Sequence, residues 1–309
     1  MSNKERYRQL CEQAGARIPV FQQHWWMEVV CHGKQWDVLL AERNGKIIGA
    51  LPYLIGKRFG LRYVLQPELT QFSGPWLDES LNPEERLRTI DQLAGQIDDM
   101  GLAIYVQCFS PDIETWLPFY WRGYSQTTRY TYRFDPLLPV EQLMAGAQPE
   151  RRKRLELLRL QCEIDRQVPP DEFSVFHNNY YTNRDGYNMV PQRLVERVCS
   201  TSIDRGQGLI YGLRNHNGQL LVADFVVYDS HCAHSLLSGM SGGAPRNANS
   251  LLFWTIIGDL YGRTEVFDFE GSMDKGIGHF FRTFGATAVP LMRVWHSRIP
   301  FATKLLHLR

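Results

Sequence analysis

The stretches that decide the fold are residues 36–55, WDVLLAERNGKIIGALPYLI, and residues 209–228, LIYGLRNHNGQLLVADFVVY. Each places an Asn-Gly pair, at positions 44–45 and 217–218, between two apolar runs. Asn-Gly in this setting predicts a β-hairpin, because both residues tolerate the positive φ that a tight turn requires. The two glycines lie 173 positions apart, which indicates that the chain repeats itself.

The elements after each hairpin extend this repeat. In the first half we expect a strand over 61–66, a helix from Pro83 with a capping box of Asn82 and Glu85, a strand over 102–109, a short helix over 111–120 and a strand over 127–134. In the second half we expect a strand over 231–240, a helix over 247–261, a strand over 265–269, a helix over 275–284 and a strand over 287–295. Both halves read β-β-β-α-β-α-β. The fold class is therefore α/β (α+β), with two tandem units, each a mixed central sheet flanked by helices. The pattern divides into residues 1–140 and 141–309.

Composition places the chain among folded proteins without a strong overall charge. It has 309 residues, 44% of them hydrophobic, and 34 basic against 33 acidic side chains give a net charge of +1. This apolar content buries a sizeable core and excludes a disordered chain. The near-neutral balance gives no overall reason to expect a nucleic-acid or membrane partner.

We expect no segment that directs the chain to a membrane or out of the cell. No apolar run approaches the roughly 18 residues that a membrane-spanning helix needs. The first residues, MSNKER, are charged rather than apolar, and the six cysteines are scattered without CxxC spacing. We therefore expect a cytoplasmic protein with reduced thiols and no membrane span.

One short stretch contains residue types that bind metals. His231, Cys232 and His234 lie close together in the sequence. Nothing nearby completes a ligand set, so we expect no metal site.

A basic run, ERRKR at residues 150–154, opens an amphipathic helix. It is either a solvated helix face or a contact for phosphates on a substrate or an RNA acceptor stem. Basic side chains at a helix N-terminus oppose the helix dipole, which an anionic partner would relieve.

The loop from Ser241 to Asn247 precedes the long helix of the second half and contains Gly242 and Gly243. Two glycines permit close approach of the backbone to a ligand, and Arg246 can supply a charge-assisted hydrogen bond to a phosphate. The helix N-terminus after this loop favours anions. The alternative is an ordinary loop that needs glycine for its turn.

Asp268 and Glu270 end a predicted strand of the second half. Alternation along the strand places both carboxylates on one face, where they suit general-base or substrate-orienting chemistry. The alternative is that one carboxylate caps the following helix and the other pairs with Arg282.

Four segments carry a family resemblance. Residues 180–187 (YYTNRDGY) and 268–286 (DFEGSMDKGIGHFFRTFGA), with residues 19–26 (PVFQQHWW) and 69–75 (LTQFSGP), resemble the FemAB-like branch of the GNAT acyltransferase superfamily. The resemblance covers nearly the whole chain, in a short form without the long helical arm. The usual GNAT pyrophosphate signature, (Q/R)xxGx(G/A), does not occur in the loop at 241–247.

This resemblance implies transfer of an acyl group to an amine, with the active cleft in the C-terminal unit and the N-terminal unit structural. The expected donor is acetyl-CoA or another acyl-CoA, and the expected acceptor is a small-molecule or peptide amine. Two alternatives are an aminoacyl-tRNA-dependent transferase acting on a peptidoglycan or peptide precursor, and a non-catalytic binding member. The resemblance assigns Glu270 and Asp268 to catalysis, Gly242, Gly243, Arg246 and Asn247 to the donor, and Arg184, Tyr187, Gln71 and Gly74 to the acceptor.

Overall fold

The structure is a computed structural model that describes residues 1–14, 18–145, 149–182, 190–271 and 273–299. It divides into two compact units: Met1–Tyr130 together with the segment that starts at Val289, and Thr131–Ala288. Both are α/β, as predicted. Among the described helices, none has the length and apolar character that crossing a bilayer requires.

The first unit places helices around a mixed sheet. Its helices are α1 (Asn3–Ala14), α2 (His24–Val30), α3 (Pro83–Asp99) and α4 (Leu117–Trp121). Its strands are β1 (Gln35–Arg43), β2 (Lys46–Arg58), β3 (Leu61–Leu65), β4 (Trp76–Leu77), β5 (Ile104–Cys108) and the start of β6 (Ser125–Phe134). The predicted element order is confirmed, with β4 as a short addition that pairs with β2.

The second unit contains α5 (Val140–Ala145), α6 (Pro149–Arg159), α7 (Pro170–Thr182), α8 (Gln192–Asp204), α9 (Ala248–Leu260) and α10 (Lys275–Arg282). Its strands are β7 (Glu163–Asp165), β8 (Gly208–Arg214), β9 (Leu220–Tyr228), β10 (Cys232–Met240) and β11 (Val266–Asp268), and β12 (Thr287–Ser297) comes last in the chain. Neighbours from β7 to β10 are antiparallel, and β11 is parallel to β10. The longest described helix of the chain, α3, has 17 residues, so the described part of the second unit has no long helical arm.

The two predicted hairpins differ in their turns. Asn44 and Gly45 both have positive φ and connect the paired residues Arg43 and Lys46, which is the predicted two-residue turn. In the second repeat, Arg214 pairs with Leu220, so the predicted hairpin is formed with a loop longer than two residues. The Asn215 side chain accepts hydrogen bonds from the backbone N–H groups of residues 217 and 219, and this interaction favours a longer loop.

The last strand of each repeat pairs with a strand of the other repeat. In the first unit, β12 is antiparallel to β5, with Val294 opposite Gln107. In the second unit, the end of β6 is antiparallel to β11, with Arg133 opposite Asp268. Each sheet is therefore completed by a strand distant in sequence.

The core of the second unit surrounds α9, which is buried on all sides. Ten of its 13 residues are buried, and the Phe253 ring packs on Phe269, which follows β11, and on Phe281 of α10. A helix that is apolar all round is a fixed central element. The loop before α9 is therefore attached to a rigid support.

Candidate active site

The candidate site lies in the second unit, where β10 and β11 separate. The two strands are paired in parallel from Cys232–Val266 to His234–Asp268. Within the described residues the pairing ends there, because β11 stops at Asp268 while β10 continues to Met240. The backbone of β10 beyond His234 therefore loses this neighbour.

Asp268 is an anchored carboxylate. It is 2% exposed, and Arg133 Nε donates to its Oδ2 at 2.6 Å. Its Oδ1 accepts from the Thr131 hydroxyl and, at 2.8 Å, from the backbone N–H of Glu270. Both oxygens are engaged, so Asp268 holds the start of the turn after β11 in place.

Glu270 is held by that turn in an unusual conformation. Its φ is +67°, in the left-handed region that side chains other than glycine seldom adopt, and the residue is 8% exposed. The strand has already ended, so the alternation that we predicted for Asp268 and Glu270 does not apply to Glu270. Strained backbone of this kind is concentrated at functional sites.

His234 faces Glu270. Its Nδ1 lies 2.8 Å from Glu270 Oε1, yet the two atoms are not aligned as a hydrogen bond, and no described residue makes a hydrogen bond to this buried oxygen. Burial raises the pKa of Glu270 well above its usual range, and burial lowers the pKa of His234 to about 3. Burial therefore favours the uncharged form of both side chains.

The alternative roles that we considered for these carboxylates are not observed. Asp274, which the sequence reasoning did not single out, caps α10 by accepting from the backbone N–H groups of Gly276 and Ile277. Arg282 donates to the Tyr132 hydroxyl at 3.0 Å. Neither Asp268 nor Glu270 provides the cap observed for α10.

The loop before α9 is open. Gly242 and Gly243 are exposed, have no positive φ, and a Cβ atom at either would meet nothing within 4 Å. Neither the turn nor internal packing therefore requires glycine, contrary to the alternative that we considered. Arg246 is exposed, and Asn247, with a φ of +71°, precedes α9 without capping it through its side chain.

A cavity of about 630 Å³ is lined by Asn249 of α9 and by an acidic side chain that the sequence reasoning missed. Asp224, on β9, lines the cavity and is 1% exposed. Ser235 Oγ lies 3.0 and 2.9 Å from its two oxygens. Burial raises the pKa of Asp224 to about 8. Its signal in the sequence is a single acidic residue within the apolar strand LLVADFVVY.

A bulge in β10 lies next to the contact between Ser235 and Asp224. The register between β9 and β10 shifts between Ser235 and Leu237, which bends the strand locally. His177 Nδ1 lies 2.8 Å from the Ser238 carbonyl, and its ring packs on Tyr181. This contact fixes the end of α7 against β10.

The assignment of four further residues to the acceptor stays a prediction. Arg184 and Tyr187 lie outside the described residues. Gln71 is a half-buried loop residue of the first unit. Gly74 has a φ of +82°, and a Cβ atom there would lie 2.3 Å from the Phe109 ring, so local packing alone requires glycine.

Three potential metal ligands do meet in this unit. Side-chain atoms of Cys232, His234 and Asp268 lie within 4.8 Å of one another and are buried. The Arg133 guanidinium already balances the charge of Asp268, which opposes a second cation. His231 lies instead 3.0 Å from Glu265.

The fold is that of two tandem GNAT-like units, as the sequence predicted, and solved structures share it. The structure of FemX matches with 12% identity and a TM-score of 0.70 over 94% of this chain and 95% of that one. L-PGS from Bacillus licheniformis matches with 13% identity and a TM-score of 0.62 over 98% and 95%. A tandem GNAT protein of the clavulanic acid biosynthesis pathway matches with 10% identity and a TM-score of 0.53 over 85% and 83%. At such identities the likeness concerns the fold. No protein-family model and no curated protein matches the sequence.

Proposed function

We propose that this protein is an N-acyltransferase that moves an acyl group from acyl-CoA to an amine in the second unit. The observation that carries the proposal is Glu270, a buried carboxyl on strained backbone with an oxygen that no described residue hydrogen-bonds. It lies where β10 and β11 separate. The shared fold with a tandem GNAT protein whose structure is described as being without AcCoA supports the same class of donor.

The loop at 241–247 fits the phosphates of such a donor. Its two glycines leave open space, and the first turn of α9 has no side-chain cap. Ser241 Oγ, at the start of the loop, is buried and has no hydrogen bond within the described residues. The N-terminus of a helix, a hydroxyl and the Arg246 guanidinium together suit an anion.

The reaction forms an N–C bond at the acyl carbonyl and breaks its C–S bond. Glu270 orients the amine or removes its proton, directly or through water, and the proton finally passes to the departing thiolate. Backbone N–H groups of β10 beyond the paired segment are suited to stabilising the oxyanion. Asp268 supports this step by fixing the Glu270 backbone.

Binding of acetyl-CoA, measured by calorimetry, tests the donor. We expect micromolar binding that weakens on the order of tenfold in Arg246→Ala, because a charge-assisted hydrogen bond is lost. Gly243→Val should block the approach of the donor, because the valine side chain fills the open space at this position without a clash at its Cβ atom. Arg263→Ala, beyond the opposite end of α9, is the matched control and should bind like the wild type. Absence of binding to the wild type would refute the donor assignment.

Glu270→Gln tests the catalytic assignment. Because the pKa of Glu270 is raised, its ionised fraction grows as pH increases, so kcat for acetyl-CoA with an accepted amine should rise with pH in the wild type. The glutamine variant should lose this dependence and at least tenfold in kcat, or about 1.4 kcal/mol. Thiol release followed across pH gives the profile. An unchanged kcat at every pH would show that Glu270 is not the base.

A second candidate is an aminoacyl-tRNA-dependent transferase. The basic run at 150–154 lies in the first turns of α6, where Lys153 and Arg154 are exposed. The FemX fold is consistent with this reading. A steep salt dependence of tRNA binding, together with no acetyl-CoA binding, would favour it. Failure of both binding tests would favour a non-catalytic binding member.

A further inference from the structure

The 630 Å³ cavity beside β9 combines aromatic walls with acidic groups. Its apolar lining includes Tyr180, Tyr181, Phe253, Phe280 and Phe281. The acidic side chains among its described lining residues are Asp224 and Asp274, and no basic side chain is among them. Its size lies within the range of small-molecule sites.

The two carboxylates differ in position. Asp274 is exposed at the start of α10, where its Oδ1 accepts from two backbone N–H groups. Asp224 is almost fully buried, and the Ser235 hydroxyl is the hydrogen-bond donor described for it. One hydroxyl donor offsets little of the free energy that ionising a carboxyl at such depth costs. A cationic ligand would supply the missing opposite charge.

We infer that this cavity is the acceptor site and that it takes a primary amine carried on an apolar or aromatic body. The ammonium group pairs with the ionised form of Asp224, which takes one of its protons so that the neutral amine can attack, and the aromatic rings contact the body and the cation. The inference rests on the proposed acyl transfer, for which it names the acceptor class. An anionic donor is disfavoured in this cavity, because its described lining has two acidic side chains and no basic one.

The geometry of Asp224 supports a specificity role. Ser235 lies next to the β10 bulge, and its hydroxyl reaches both carboxylate oxygens. Ser238, paired with Asp224 across β9 and β10, also lines the cavity. Two residues of the bulged strand therefore place Asp224 relative to the ligand.

Calorimetry with phenethylamine and with phenethyl alcohol, its neutral counterpart, tests the inference on the full chain. We expect the amine to bind and the alcohol to bind on the order of tenfold to a hundredfold more weakly, as expected for loss of a hydrogen bond to a charged group. Asp224→Asn should weaken amine binding by a similar factor. Asp171→Asn removes the same charge from an exposed residue at the start of α7 and should bind like the wild type.

The outcomes separate the two proposals. Equal binding of alcohol and amine, or amine binding that is unchanged in Asp224→Asn, would overturn the inference while acetyl-CoA binding still supported an acyltransferase. Absence of amine binding to the wild type would overturn it as well. Asp224-dependent amine binding without any binding of acetyl-CoA would retain the amine site and refute the acyl-CoA donor. The melting temperature of Asp224→Asn establishes that the variant is folded.

Discussion

Replacing Arg133 with methionine is expected to reduce the free energy of unfolding by about 3–5 kcal/mol, because it leaves a buried anion without its partner. Arg133 lies directly opposite Asp268, with Nε 2.6 Å from Oδ2, and the two side chains are 6% and 2% exposed. The hydrogen bonds that Thr131 and the Glu270 N–H donate to Asp268 cannot balance a full charge at this depth. Denaturant unfolding followed by circular dichroism measures the change.

A second substitution distinguishes the unpaired charge from lost packing. The double variant Arg133→Met, Asp268→Asn has no carboxylate charge at position 268. Its asparagine amide oxygen can still accept hydrogen bonds from the Thr131 hydroxyl and the Glu270 N–H. Most of the lost stability should return. If the double variant is no more stable than Arg133→Met alone, the ion pair is not the cause. Arg88→Met, which removes an exposed partner of Glu84, should change little.

The order of elements was predictable because it is encoded locally. The capping box of Asn82 and Glu85, with Pro83 at the first position of α3, is formed as the sequence indicated. The Asn44-Gly45 turn is also local. Which strands pair was not predictable in the same way. The repeat alone does not reveal that β12 joins β5 or that β6 joins β11, because those partners depend on packing between distant segments.

The candidate site shows the same limit. The chain segment around Asp268 and Glu270 was found from its carboxylates, but their face was predicted from strand alternation, which ends at Asp268. His234 reaches Glu270 only because β10 and β11 are parallel in one register. The contact between Asp224 and Ser235 lies beside a bulge that no sequence pattern predicted. The sequence reveals the candidate residue types, whereas the contacts between them depend on the tertiary structure.

Asp224→Asn is expected to stabilise the protein at neutral and alkaline pH while it impairs amine binding. The pKa of Asp224 is raised from 3.8 to about 8 by burial, so the folded protein binds this proton more tightly than the unfolded chain does. The stability linked to this proton is fully present below pH 4 and is lost as pH rises from about 4 to about 8. Asparagine does not titrate, so it brings no such pH dependence. The free energy of unfolding of the variant at pH 7 should therefore exceed that of the wild type by up to about 4 kcal/mol.

Denaturant unfolding of both proteins at pH 4 and pH 8.5 tests this expectation. The difference between them should be small at pH 4 and largest at pH 8.5. Glu270, whose pKa is also raised, contributes in the same direction to both proteins, so the difference isolates Asp224. The other titratable groups that line the cavity, Asp274, Tyr180 and Tyr181, are likewise unchanged between the two proteins. A difference independent of pH would contradict the buried, proton-binding carboxyl. A variant that is both more stable and unable to bind phenethylamine would show that the protein retains a destabilising acid at this position because ligand binding requires it.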